Sequence, residues 1–83
     1  MKLFLVSQNQ NQGYDTYDSF VVICNSEDEA KNTHPSNQPM TDEKWKNKYG
    51  VWCEHINYVK VQYLGEADSS LQKGVVCSSF NAG

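Results

Sequence analysis

Lys2-Leu3-Phe4-Leu5-Val6-Ser7, then the polar interval Gln8-Asn9-Gln10-Asn11-Gln12-Gly13, then Tyr17-Asp18-Ser19-Phe20-Val21-Val22-Ile23-Cys24 form the stretch that decides the fold. The first run carries apolar side chains at both odd and even positions. A strand does this when it lies inside a sheet and buries both faces. The second run is rich in β-branched and aromatic residues, which favour a pleated surface. The polar interval cannot continue either strand, so the stretch predicts two antiparallel strands joined by a long loop.

Ser26-Glu27-Asp28-Glu29 follows at once and matches a capping box: the Ser26 hydroxyl accepts from the Glu29 amide, and the carboxylates suit the positive end of a helix. A short helix is expected from Glu27 to about Thr33, ended by Pro35, which biases His34 toward an extended backbone. Pro35 to Thr41 reads as loop. Thr41-Asp42-Glu43-Lys44 is a weaker cap, predicting a second short helix with Trp45 facing the core. Val51 to Cys53 reads as a short extended piece. Tyr58 to Gly65 reads as a strand, because Val59, Val61 and Tyr63 alternate with polar or smaller neighbours. Val75 to Phe80 reads as the last strand, with Asn81-Ala82-Gly83 as a fraying tail. The sum is an α+β fold: a small antiparallel or mixed four-stranded sheet with one or two short helices on one face.

The chain has 83 residues, which fits a single domain spanning 1–83 and a core with a thin stability margin. No run approaches the roughly 20 apolar residues of a membrane span, and the opening apolar run is shorter than a signal peptide requires. A cytoplasmic protein is therefore expected, with no membrane role. The formal charge is -3 and all seven cations are lysines. That balance argues against nonspecific nucleic-acid binding, whose affinity comes mainly from cations neutralising phosphates. Asp15, Asp18, Glu27, Asp28 and Glu29 fall within the first 31 residues against Lys2 and Lys31 alone. They form a candidate acidic surface for a basic protein partner, where charge complementarity sets encounter rate and specificity.

Three cysteines and two histidines supply the candidate metal chemistry. An odd number of thiols in a chain without an export signal argues against a disulfide framework. A structural zinc site wants four Cys or His ligands and can supply much of the folding free energy of a small domain. Cys24, His34, Cys53 and Cys77 form such a set, with His55 as the alternative imidazole. No C-x-x-C pair is present, and Cys is also commonly buried as a small apolar residue, so that core reading stands beside the zinc one. Cys53 and His55, two apart, would share one side of an extended segment, but as a nucleophile and base they lack an orienting third group. The chain is read as a non-enzyme.

The segments Lys2 to Gln8, Gly13-Tyr14-Asp15-Thr16-Tyr17-Asp18-Ser19, Tyr63-Leu64-Gly65-Glu66-Ala67 and Ser79-Phe80-Asn81-Ala82-Gly83 together resemble small accessory proteins of bacteriophages and prophages. That group includes acidic anti-CRISPR inhibitors. The resemblance implies a phage or prophage setting and no catalytic residues; with the absence of Arg and the excess of carboxylates, the expectation is a non-enzymatic inhibitor of a bacterial defence nuclease, Cas9 first, acting in the host cytoplasm through its acidic surface. The alternative is a zinc-stapled structural or adaptor protein of a phage with no inhibitory role.

Overall fold

The computed structural model describes residues 1–46 and 50–81; the expectation for the tail at 82–83 lies outside the described residues, while Asn81 does not fray but ends the last strand opposite Thr16. The element order is β1 (Lys2–Ser7), β2 (Thr16–Cys24), α1 (Glu27–Lys31), β3 (Thr33–His34), β4 (Gln38–Pro39), α2 (Asp42–Lys46), a 3-10 turn (Ile56–Tyr58), β5 (Lys60–Glu66) and β6 (Gly74–Asn81). It is an α+β fold. The four long strands form one antiparallel sheet in the order β5-β1-β2-β6, and β3 pairs with β4 in a separate two-stranded ladder.

The β1–β2 hairpin is in the register that the apolar pattern requires, with Phe4 opposite Val22 and Val6 opposite Phe20. These four side chains are buried on one face, where they meet Cys24, Ala30, Trp52, Cys53 and Val59. Full burial of a side chain such as Val6 or Phe20 contributes about 1.5–3 kcal/mol, so this one layer accounts for much of the favourable term. Phe20 and Trp52 pack with ring centroids 5.3 Å apart, and Phe4 meets Tyr63 edge-on at 5.8 Å. Leu3, Leu5 and Val21 fall on the other face and are half-buried.

Helix α1 has five residues, too few to persist alone. It is held by its cap, in which the Glu29 amide donates to Ser26 Oγ at 3.2 Å, and by Ala30, which is fully buried against the sheet. The helix stops at Lys31, two residues before the expected end. The Thr33 hydroxyl turns back to the Glu29 carbonyl at 2.8 Å, and Thr33 and His34 pair with Pro39 and Gln38 instead. Asn37 closes that small hairpin at φ 70, a left-handed backbone that Asn tolerates better than most residues. Helix α2 begins where the Thr41 cap predicts: the Lys44 amide donates to Thr41 Oγ1, and Trp45 packs half-buried against the core.

Val51 to Cys53 is not a strand. Trp52 and Cys53 turn inward, and the 3-10 turn after them is capped by His55, whose Nδ1 accepts from the Asn57 amide at 3.0 Å. Consecutive strands β5 and β6 occupy opposite edges of the sheet, so residues 67–73 must cross its end. That is three strand spacings, about 14 Å. The crossing is tied down by the Ala67 amide, which donates to the Met1 carbonyl, and by the ion pair of Lys73 with Glu29.

Candidate functional site

Three of the sequence segments quoted above meet at one end of the sheet. Thr16 and Tyr17 at the start of β2 pair with Asn81 and Phe80 at the end of β6, and the Gln8 amide donates to the Asp18 carbonyl. The Thr16 hydroxyl donates to the Gly13 carbonyl at 2.6 Å and closes the turn that carries Tyr14 and Asp15. Asp15 takes φ 59, a conformation uncommon for a residue with a Cβ, and its amide is satisfied by the Asn81 carbonyl. Asp18 is the extra residue of a β-bulge between Tyr17 and Ser19, and bulges re-aim side chains.

The result is an aromatic and acidic tip. Tyr14 is 80% exposed and Phe80 is 44% exposed, with Phe80 stacked on Tyr17 at 4.8 Å between ring centroids. Ser19 Oγ donates to Asp18 Oδ1 at 3.0 Å, which orients that carboxylate. Asp15 and Asp18 have no ion-pair partner among the described residues.

Gln8 fixes the tip from behind. Its side chain is buried and makes four hydrogen bonds: Nε2 donates to the carbonyls of Asn11 at 2.8 Å and Tyr17 at 2.7 Å, while Oε1 accepts from the amides of Gln10 at 3.0 Å and Asn11 at 2.9 Å. Asn11 Nδ2 in turn reaches the carbonyls of Gly50 and Trp52 at 3.1 Å, and the Glu54 amide donates to Gln10 Oε1. The carboxamide run, which reads in the sequence as a linker, is the brace that anchors the tip to the core. Its composition carries no signal of this, because a carboxamide serves equally in water or in a buried network.

The acidic residues do not form one surface. Asp15 and Asp18 lie at the tip, whereas Glu27, Asp28 and Glu29 lie beyond the far end of β2, roughly 25 Å away at about 3.3 Å per residue. Glu27 and Asp28 are exposed; Glu29 is half-buried and paired with Lys73.

The candidate ligands are dispersed as well. Cys24 and Cys53 are buried in the core, and their thiols donate to the carbonyls of Ser26 at 3.3 Å and His55 at 3.5 Å. Burial pushes both thiols up from their ordinary pKa, the opposite of an activated nucleophile. Cys77 stands opposite Val21 on the other face of the sheet and is exposed. His34 accepts the Ser36 amide on Nδ1 at 3.0 Å, and its pKa is lowered by burial and by Lys44. His55 is exposed while Cys53 beside it is buried, so the pair does not share a side. Among the described residues no three His, Cys, Asp or Glu side chains are gathered to hold a metal ion.

A cleft of about 470 Å³ opens between α1, the β3–β4 hairpin and the crossing segment, lined in part by Cys24, Glu29, Asn32, Asn37, Gln38 and Lys73. The cleft's charges are already paired with each other. Among the described residues no helix is long and apolar enough to cross a membrane. No protein family matches the chain, and neither a curated protein nor a solved structure does.

Proposed function

We propose that this chain is a non-enzymatic binding protein that acts by stoichiometric contact between its aromatic and acidic tip and a basic surface on a protein partner. The observation that carries the reading is the tip itself: exposed Tyr14 and Phe80 beside the carboxylates of Asp15 and Asp18, on backbone held by the Thr16–Gly13 bond, the pairing of β2 with β6 and the Gln8 bond to Tyr17. Interfaces draw most of their energy from a few aromatic anchors, and rigid presentation lowers the ordering cost of binding. Unpaired carboxylates add steering toward a cationic partner.

The partner class we propose is a bacterial defence nuclease, Cas9 first, whose nucleic-acid channel is basic and suits an acidic tip, in keeping with the resemblance to phage accessory proteins. Inhibition then titrates with about one equivalent of protein. The test is cleavage and DNA loading by purified Cas9 with increasing protein, alongside Asp15→Lys/Asp18→Lys. The expected result is inhibition by the parent chain and its loss in the charge-reversed variant, which stays folded at the assay temperature although Lys is less suited than Asp to the φ 59 backbone at position 15. If excess protein leaves cleavage and loading untouched, and no defence nuclease co-purifies from the host, the nuclease reading falls.

A further inference from the structure

The sheet has two free edges, and they are built differently. β5 carries Lys60 and Glu66 and is kinked by a bulge near Leu64 and Gly65, the usual protections of an exposed edge. β6 is Gly-Val-Val-Cys-Ser-Ser-Phe-Asn over residues 74–81, with no charge and no proline, and among the described residues it pairs only with β2. Its start is closed, because the Val75 amide donates to Asn37 Oδ1 at 2.8 Å, and a bulge sits at Val76. Residues 77–81 remain as an open ladder with exposed side chains from Cys77 to Phe80. This open part ends at the acidic tip, since Phe80 and Asn81 lie against Tyr17 and Thr16.

We propose that β6 is a docking edge: an extended, basic segment of the protein partner adds to residues 77–81 as a fifth strand. This rests on the binding reading above and deepens it. Main-chain hydrogen bonds supply the attachment, and side-chain contacts supply the choice of segment. Antiparallel addition is slightly the more stable pairing, so the incoming strand enters at the tip. Its N-terminal half then lies at the tip end of β6, with Asp15 and Asp18 one strand further in, and carries lysines or arginines long enough to reach across β6 toward them. Its C-terminal half stops at Cys77, opposite Val21, short of α1 and its exposed Glu27 and Asp28. A second copy of this chain is a poorer occupant, because its own 77–81 edge carries no cation to set against Asp15 and Asp18.

The experiment uses the isotope-labelled full chain and an acetylated, amidated peptide, Lys-Val-Lys-Val-Thr-Val-Thr, with the reversed peptide Thr-Val-Thr-Val-Lys-Val-Lys as control. Amide hydrogen exchange and chemical shifts are followed by NMR. The expected result is slowed exchange at alternate amides within 77–81, a several-fold preference for the first peptide, and weakening at high salt. Asp15→Asn/Asp18→Asn weakens the first peptide about fivefold, as two exposed ion pairs together imply. Absence of binding, protection at β5, or β6 amides already protected in a self-associated chain overturns the proposal. Weakening by the Asn variant without β6 protection overturns the edge and leaves the tip standing. Protection of β6 with no effect of the Asn variant, or with no preference between the two peptides, overturns the charge-directed orientation and the acidic tip with it.

Discussion

Replacing Gln8 by alanine isolates the claim that the polar loop is structural. The Gln8 side chain is 4% exposed, and its four hydrogen bonds join the end of β1 to the loop and to Tyr17 of β2. Each such bond contributes about 0.5–1.5 kcal/mol net, and an orphaned buried partner costs more. Because water reaches part of this loop, the lower end applies, and the four together give about 2–4 kcal/mol. A chain of this length has roughly 4–12 kcal/mol in all. Gln8→Ala therefore removes a large share, and at about 4–8 °C per kcal/mol the melting temperature falls by at least roughly 8 °C. Urea unfolding followed by tryptophan fluorescence, with calorimetry alongside, measures it. Gln8→Glu sharpens the test, because a carboxylate still accepts from the Gln10 and Asn11 amides but sets an oxygen against the Asn11 and Tyr17 carbonyls. Only the protonated acid can donate there, so this variant has a raised folded-state pKa and is more stable at pH 5 than at pH 7. A Gln8→Ala chain that melts within about 2 °C of the parent refutes the reasoning.

Cys24→Ala and Cys53→Ala each cost about 1–2 kcal/mol through lost packing, whereas Cys77→Ala, on the exposed face, stays within about 0.5 kcal/mol; equal large losses at all three, with metal released, point to a shared zinc site instead. The His34 pKa is lowered in the fold, so the unfolded chain binds the extra proton first: stability is full above the ordinary histidine range and declines as pH falls toward the folded value, and His34→Gln flattens that slope in denaturation curves taken between pH 7 and pH 5. Gly74→Ala meets both a φ of +144 and an Asn37 Oδ1 atom 3.0 Å from the new Cβ, so it costs about 1–3 kcal/mol and speeds exchange of the Val75 amide; parent-like exchange there contradicts the Asn37 contact.

Sequence patterning carried far in the first half of the chain. The β1–β2 pair, the capping box at Ser26, the Thr41 cap and the two later strands follow from periodicity, β-branching and side-chain caps, which act over a few residues and are therefore written locally. Their limits also have local causes. Thr33 is drawn out of the helix by its own hydroxyl bond and by pairing with Pro39, and His55 caps a 3-10 turn that no apolar pattern announces.

The candidate site was legible only in its parts. Asp15 and Asp18 were visible as carboxylates beside tyrosines, but nothing in their spacing places Phe80 against Tyr17 or reveals Gln8 as the bracket behind them. The acidic run from Asp15 to Glu29 looks continuous in one dimension, yet a nine-residue strand inside it carries its two halves to opposite ends of the sheet. Cys77 is parted from Cys24 and Cys53 by alternation, because it lies opposite Val21 on the face of the sheet away from the core that the other two share.

The sequence by itself determined which long segments pleat and which short ones coil, because those preferences are set by side chains within a few residues. Only the tertiary structure decided that β5 and β6 take opposite edges, that the carboxamide loop is tied to the core, and that β6 ends beside the acidic tip. Those outcomes depend on which distant backbone groups satisfy one another once apolar surface is buried, and that is a property of the whole chain.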